Sequence, residues 1–265
     1  MAERLKSILR RTRWSSLLKA AIFAAAWLVL PFWLFAIVAL YLCFVPVPQS
    51  ATVAGPFFAL LLVAFLNPPG WTFAVILGCI FFALLLIKGF ILIDRESAYE
   101  AVILSITFLL FLAFYEKAGS AIGWESLGYS FGVALVAGFL VSNFVRFAAP
   151  SHVPPDEGAL AGDAGAEARE PDDDEAMASE SRISRFGRPA VWLATLLVWE
   201  FLLAALFLPL DFVYQTIAAF LGAIVVIDLV PQHLFGTLSR AKVLVTASIV
   251  FVLFVFILGS ARWGL

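Results

Sequence analysis

The chain has 265 residues, of which 63% are hydrophobic and only 14% are charged. Soluble chains average roughly 45–50% apolar and about 25% charged residues, so this composition excludes a soluble globular domain and places most of the surface against the lipid bilayer. The formal net charge is −2, and no basic face interleaved with aromatic residues is present, so nucleic acid is set aside as a partner.

Charge is strongly segregated along the chain. Six of the seventeen Lys and Arg residues lie in the first 19 positions, and ten of the nineteen Asp and Glu residues lie between positions 156 and 180. This pattern predicts four regions: a basic cytoplasmic or interfacial N-terminus (1–19), an N-terminal transmembrane group (20–148), an acidic linker (149–187) and a C-terminal transmembrane group (188–265). The linker is too polar to bury a core, so we expect it to be disordered.

The N-terminal region is expected to form a short helix in the headgroup layer, because Leu5, Ile8 and Leu9 can share one helical face. The apolar run that follows is longer than the roughly 7–15 residues of a signal-peptide core. We therefore expect it to remain in the protein as the first span.

Eight apolar segments follow the basic region: Ala20–Phe44, Thr52–Leu66, Trp71–Ile93, Ala98–Phe114, Gly128–Phe147, Pro189–Leu208, Phe212–Val230 and Ala241–Leu258. A spanning helix needs about 20 apolar residues, and seven segments meet or approach that length. Thr52–Leu66 is short, contains Pro56 and is bracketed by further prolines, which mark helix ends. The sequence predicts an all-α, polytopic bundle with seven full spans plus one short re-entrant or half-helix segment, or eight spans.

The basic residues favour the first of these alternatives. With eight crossings, nine of the seventeen Lys and Arg residues fall outside, which is no bias. If Thr52–Leu66 enters and returns, fifteen fall inside, and only Lys117 and Arg262 fall outside. Basic residues near span ends favour the cytoplasm, so we expect a cytoplasmic N-terminus and linker. The bias is typical of a bacterial plasma (inner) membrane protein.

Glu200 is the strongest candidate for an intramembrane functional group. It lies twelve residues after Arg188 and eleven before Asp211, the charged residues that bound its span, so a rise of about 1.5 Å per residue puts it near mid-bilayer. A carboxyl group at that depth needs a proton or a partner. It either serves a proton or cation site or makes a hydrogen bond that locks two helices together.

Two other charged residues are candidates for the same polar site. Asp228 lies near the end of its span, roughly 9 Å from Glu200 in depth if the helices are antiparallel, so the two acids are not expected to pair. We expect Asp228 to reach the headgroups near Arg240 and Lys242. Lys88 lies close to the end of its segment, where it either extends to the interface or provides a counter-charge for Glu200.

The fifth span carries a stripe of small or polar residues that favours close helix packing. Its members are Ser130, Ala134, Gly138 and Ser142, with Gly128 and Gly132 adding a G-x-x-x-G. The partner helix is expected either within the bundle or in another protein.

Metal, redox and motif-based enzyme chemistry have no support in the sequence. The only histidines are His152 and His233, and Cys43 and Cys79 both lie in apolar runs, where we read them as small buried hydrophobes. H-E-x-x-H, G-x-S-x-G, P-loop and G-x-G-x-x-G motifs are absent, so no cofactor is expected.

Two functions are compatible with these observations. The first is a non-catalytic accessory or scaffold component of a membrane complex, which binds a membrane-protein partner or forms a homo-oligomer. The alternative is a small transporter or channel with Glu200 as its proton or cation site. The orientation of Glu200 distinguishes them, because transport requires it to line an internal hydrated cavity.

Overall fold

The computed structural model describes residues 2–45, 51–87, 95–118, 123–148, 173–235 and 238–260. Within these ranges it contains nine α-helices and no strands, so the predicted all-α class is confirmed. The helices are α1 (Ala2–Val29), α2 (Phe32–Phe44), α3 (Ala51–Leu66), α4 (Trp71–Leu86), α5 (Arg95–Ala118), α6 (Trp124–Ala148), α7 (Asp173–Leu206), α8 (Phe212–Leu234) and α9 (Arg240–Ser260).

Five helical segments in the described ranges are long and apolar enough to cross a membrane. They are α5, α6, the Pro189–Leu206 part of α7, α8 and α9. The apolar parts of α1 to α4 are shorter, at 10–17 residues each. The predicted count of seven or eight spans is therefore not confirmed.

The segment Ala20–Phe44, predicted to be a single span, is divided into two helices at Pro31. Proline has no backbone N–H and disfavours the helical conformation of the residue before it, so α1 ends at Val29 and α2 begins at Phe32. The Lys19 Nζ atom donates hydrogen bonds to the carbonyl oxygens of Leu42 (2.9 Å) and Val45 (2.6 Å). Since Lys19 thus meets the far end of α2, the two helices are antiparallel, and we call them hairpin 1.

Helices α3 and α4 form a second antiparallel pair, which we call hairpin 2. The turn between them is Asn67-Pro68-Pro69-Gly70, and the rings of Phe57 and Phe81, about equally far from that turn, lie 6.0 Å apart. The Thr52–Leu66 segment, predicted to enter and return alone, is one arm of this pair.

The turns of the two hairpins lie at the same end. The Trp27 indole N–H donates to the Ala64 carbonyl oxygen at 3.0 Å, and the rings of Phe32 and Phe65 are 4.7 Å apart. Each of these residues is within five positions of a turn. The first four helices therefore pack together as one group, with both turns at one end and the basic N-terminal part of α1 at the other.

Helices α5 to α8 form a four-helix bundle, in which each helix packs against the next and α8 packs back against α5. The phenol of Tyr115 donates a buried hydrogen bond to the Leu202 carbonyl oxygen at 2.6 Å, tying α5 to α7. Helix α3 packs on α5 and α6. It approaches α6 so closely that a Cβ on Gly55 would lie 2.7 Å from the Asn143 amide nitrogen.

Helix α7 begins well before the predicted span. It starts at Asp173 and includes fifteen residues of the segment 149–187 that was expected to be disordered. Ala, Glu and Arg, which are good helix formers, account for six of these fifteen residues. The remainder of the predicted linker, 149–172, lies outside the described residues.

Helix α9 is attached to the bundle along one side only. It packs against α8 and has no buried residue. Its less exposed positions include Val243, Thr246, Val250 and Phe254, which fall on one narrow stripe at helical spacing. Almost all of its apolar surface is therefore available to lipid.

Candidate functional site

Glu200 lies on the outer surface of α7. Its side chain is exposed, and about 160° separates it around the helix from each of Val198 and Leu202, which are fully buried. Within the described ranges no hydrogen bond or ion pair reaches its carboxylate. From the sequence, this acid was expected either to serve a proton or cation site or to make a hydrogen bond between two helices. The structure shows instead an acid that is directed away from the bundle.

The depth of Glu200 places it within the apolar part of its span. It stands eleven residues after Pro189 and six before Leu206, the limits of the spanning part of α7, or about 16 Å and 9 Å along the axis. Its neighbours on the exposed surface are Leu193 and Leu196, 59% and 44% exposed. A single carboxylate therefore interrupts an otherwise apolar surface.

The contact between α6 and α7 fixes this orientation. The Trp199 indole N–H donates to the Ser130 hydroxyl at 3.0 Å, and the Trp199 ring meets Phe131 edge-on at 5.5 Å. Further along, Gly138 lies against Thr195, which occupies the space that a Cβ would need. Because Trp199 and Thr195 face α6, Glu200 is turned away from the interior.

The small-residue stripe on α6 divides between two faces. Ser130, Ala134 and Gly138 are buried, and two of them contact α7 as described above, so this part serves packing within the bundle. Gly128 and Gly132 are exposed, and a Cβ built on either would meet nothing within 4 Å. The G-x-x-x-G thus faces away from the neighbouring helices, and Ser142 is half-buried.

These outward residues form one surface, which we call the α6–α7 outer face. It consists of Gly128, Gly132, Leu135, Phe139, Leu196 and Glu200, all of them exposed. It combines a groove that a second helix backbone can approach closely with one acidic group in apolar surroundings.

Asp228 belongs to a different place in the fold. It is half-buried, and its carboxylate accepts hydrogen bonds from the Gln232 amide at 2.6 Å and from the Thr246 hydroxyl at 3.4 Å. It therefore links α8 to α9. The expected approach to Arg240 and Lys242 is not among these contacts, and no contact joins Asp228 to Glu200.

Two buried polar side chains and one capping interaction were not anticipated from the sequence. Thr107 is 0% exposed and Asn67 is 5% exposed, and neither the Thr107 hydroxyl nor the Asn67 Oδ1 atom has a hydrogen-bond partner within the described part of the chain. Lys19, which the sequence placed with the basic N-terminus, instead satisfies the last carbonyl groups of α2. Nothing local distinguishes these residues, because their environment is created by packing between helices.

The other candidates contribute no reactive cluster. Lys88 lies outside the described residues. In the ranges that the structure describes, no group of three His, Cys, Asp or Glu side chains could hold a metal ion. Cys43 is buried as expected, whereas Cys79 is exposed, and His233 is an exposed residue near the end of α8.

The fold and these groups define an α-helical membrane protein in which, among the described residues, one mid-span acid is directed outward, on the α6–α7 outer face. Comparison of the chain with protein-family models, with curated proteins and with solved structures finds no match.

Proposed function

We propose that the chain is a non-catalytic subunit of a membrane complex and that it binds its partner through the α6–α7 outer face. The observation that supports this proposal is the exposed carboxylate of Glu200 within a span, which has no partner among the residues that the structure describes. A charged side chain at the centre of a spanning helix costs about 2.5–3.5 kcal/mol on insertion scales. A partner that supplies a hydrogen-bond donor there would recover part of that cost.

The partner has a definite chemistry. It is a transmembrane helix with a Lys, Arg, hydroxyl or amide group at mid-span, opposite Glu200, and its backbone fits the open groove at Gly128 and Gly132. A second copy of this chain fits less well, because the α6–α7 outer face offers only another acid to Glu200. The proposed complex is therefore a hetero-oligomer, and a homo-oligomer is an outcome that the experiment distinguishes.

A transporter or channel remains the competing proposal, but its main requirement is a polar path inside the bundle. Glu200 lies on the outside, and Asp228 is already bound by two side chains at the edge of α9. The positions of these two acids favour the accessory role.

The proposed topology has five crossings, α5 to α9, and two hairpins that enter and leave on the same side. It keeps fifteen basic residues on that side and leaves Lys117 and Arg262 on the other. By the positive-inside rule the hairpins enter from the cytoplasm, and the membrane proposed is the bacterial plasma membrane. A reporter fused after Leu265 tests this arrangement, since a cytoplasmic signal there would contradict it.

The decisive experiment for function is purification of the native protein in a mild, lipid-preserving detergent, followed by mass spectrometry. We expect one partner at fixed stoichiometry, lost in Glu200→Leu and retained in the control Val252→Leu, which changes an exposed apolar position on α9. Glu200→Gln keeps the hydrogen-bonding atoms but removes the charge, so it tells a polar donor (partner retained) from a basic one (partner weakened). Recovery of a monomer or a homo-oligomer alone would refute the proposal.

A further inference from the structure

The short helices of the two hairpins have a physical consequence that is independent of the proposed partner. Helices α2, α3 and α4 contain 13, 16 and 16 residues, and the apolar part of α1 is Trp14–Val29. At about 1.5 Å per residue these segments are about 20–24 Å long, whereas the hydrocarbon core is about 30 Å thick.

The hairpins also stop short of the far end of the bundle. Gly55 and Asn143 lie side by side, and α3 packs on both α5 and α6. From that contact α3 extends eleven residues to its last residue, Leu66, about 17 Å. In the same direction α6 extends nineteen residues back to its first residue, Trp124, about 29 Å. The bundle therefore extends about 12 Å beyond the turn of hairpin 2.

Both hairpin turns are open to their surroundings. Pro31, Pro68 and Pro69 are exposed, and the chain at these positions is not helical. Lipid-exposed irregular backbone does not occur within the hydrocarbon region, because nothing there can hydrogen-bond its polar groups. The turns must therefore reach water or headgroups although the helices leading to them are too short for a full-thickness bilayer.

Exposed tryptophans mark the level of the two hairpin turns. Trp33 follows the first turn and Trp71 the second, and they are 64% and 79% exposed. Trp124 begins α6 at the far end of the bundle and is 89% exposed. Tryptophan is enriched at membrane–water interfaces, so the chain carries interfacial markers at two heights, with the lower one on the hairpins.

We propose that hairpins 1 and 2 bind the bilayer in a locally thinned state, in which the hydrocarbon core narrows by about 6 Å, from about 30 Å to about 24 Å, the length of the longer hairpin helices. The surface fits acyl chains, because no Asp, Glu, Lys or Arg occurs between Lys19 and Lys88. Its exposed side chains include Ile37, Tyr41, Phe58 and Val75. The ligand is thus a lipid surface that thins to meet short helices.

Nitroxide depth measurements test this inference in dioleoyl phosphatidylcholine/phosphatidylglycerol vesicles. Labels are introduced with Trp33→Cys, Trp71→Cys and Trp124→Cys, in a chain whose Cys43 and Cys79 are replaced by alanine. Val252→Cys, in the middle of lipid-facing α9, provides the hydrocarbon reference. Because the three tryptophans are largely exposed, their replacement removes few contacts, and circular dichroism checks the fold of each labelled chain.

The expected result is that labels at 33 and 71 collide with a water-soluble nickel reagent as readily as the label at 124, and more readily than the label at 252. If labels 33 and 71 instead match label 252 and collide mainly with oxygen, the turns lie in hydrocarbon and the inference is wrong. If both reagents are excluded at 33 and 71, protein covers the turns, and the proposed lipid ligand is equally refuted. These readouts need no partner, so they are separate from the test of the complex.

Discussion

The rotation of α7 determines where Glu200 points, and it can be tested through Gly138. Gly138→Ala places a methyl group against Thr195, within 3.0 Å of its Cβ and 3.3 Å of its Cγ2 and closer still to its hydroxyl oxygen. Thr195 is 3% exposed and its hydroxyl is held by the Val191 carbonyl oxygen at 2.8 Å. Since rotation about χ1 does not move the Thr195 Cβ, which would stay 3.0 Å from the new methyl group, α6 and α7 must separate.

The size of the expected loss of stability follows from comparing Gly138→Ala with Gly132→Ala. Overpacking of a well-filled interface costs about 1–3 kcal/mol, but alanine also gains up to about 1 kcal/mol over glycine in helix propensity. Gly132→Ala receives the same gain and meets nothing within 4 Å. We therefore expect the free energy of unfolding of Gly138→Ala to lie about 1–3 kcal/mol below that of Gly132→Ala, measured by reversible denaturation in mixed detergent micelles.

The difference in stability between these two variants also tests the orientation of Glu200. Five residues separate Thr195 from Glu200, which is about 140° around the helix. If Gly138→Ala and Gly132→Ala were equally stable, Thr195 would not face α6, and the outward direction of Glu200 would lose its structural basis. The double variant Gly138→Ala/Thr195→Ala should recover part of the loss, because the hydroxyl that collides with the new methyl group is gone.

Two further predictions concern polar links between helices. Tyr115→Phe removes the donor to Leu202 and should lower the free energy of unfolding by about 0.6 kcal/mol, up to about 1.7, in the same denaturation assay; an unchanged value would mean that the bond is not formed. Thr246→Val keeps the shape of the side chain but removes its hydrogen bond to Asp228, so α9 should separate more readily and trypsin should cleave faster at Arg240. Equal cleavage rates would show that apolar contacts alone hold α9.

The all-α class of the protein and its last five helices could be predicted from the sequence. Predicted segments such as Phe212–Val230 and Ala241–Leu258 match α8 and α9 closely, because long apolar runs bounded by charge have few alternatives in a membrane. The prediction of a single span at Ala20–Phe44 was wrong for a specific reason. Hydropathy summed over that run does not register Pro31, whereas the missing N–H and the steric restriction on Leu30 end the helix there.

The face on which Glu200 lies could not be predicted. Its span is apolar on all sides, so the sequence around it carries no periodic signal that separates interior from lipid. The orientation is set by tertiary contacts, chiefly Trp199 with Ser130 and Thr195 with Gly138. The same limit applies to the stripe on α6, whose spacing predicts close packing but does not show that Gly128 and Gly132 face outward while Ser130 faces inward.

The two hairpins also affect how the chain enters its membrane. A segment of 13 residues such as α2 is below the length at which a translocation channel releases a single helix into lipid, so α1 and α2 must leave the channel as a pair, and α3 and α4 likewise. In the proposed topology both ends of each pair stay on the side of synthesis, so no charged residue has to be transferred until α5 carries Glu116 and Lys117 across. With that topology the first polar segment to be translocated is the α5–α6 connection, and the two hairpins before it enter by lateral partitioning alone.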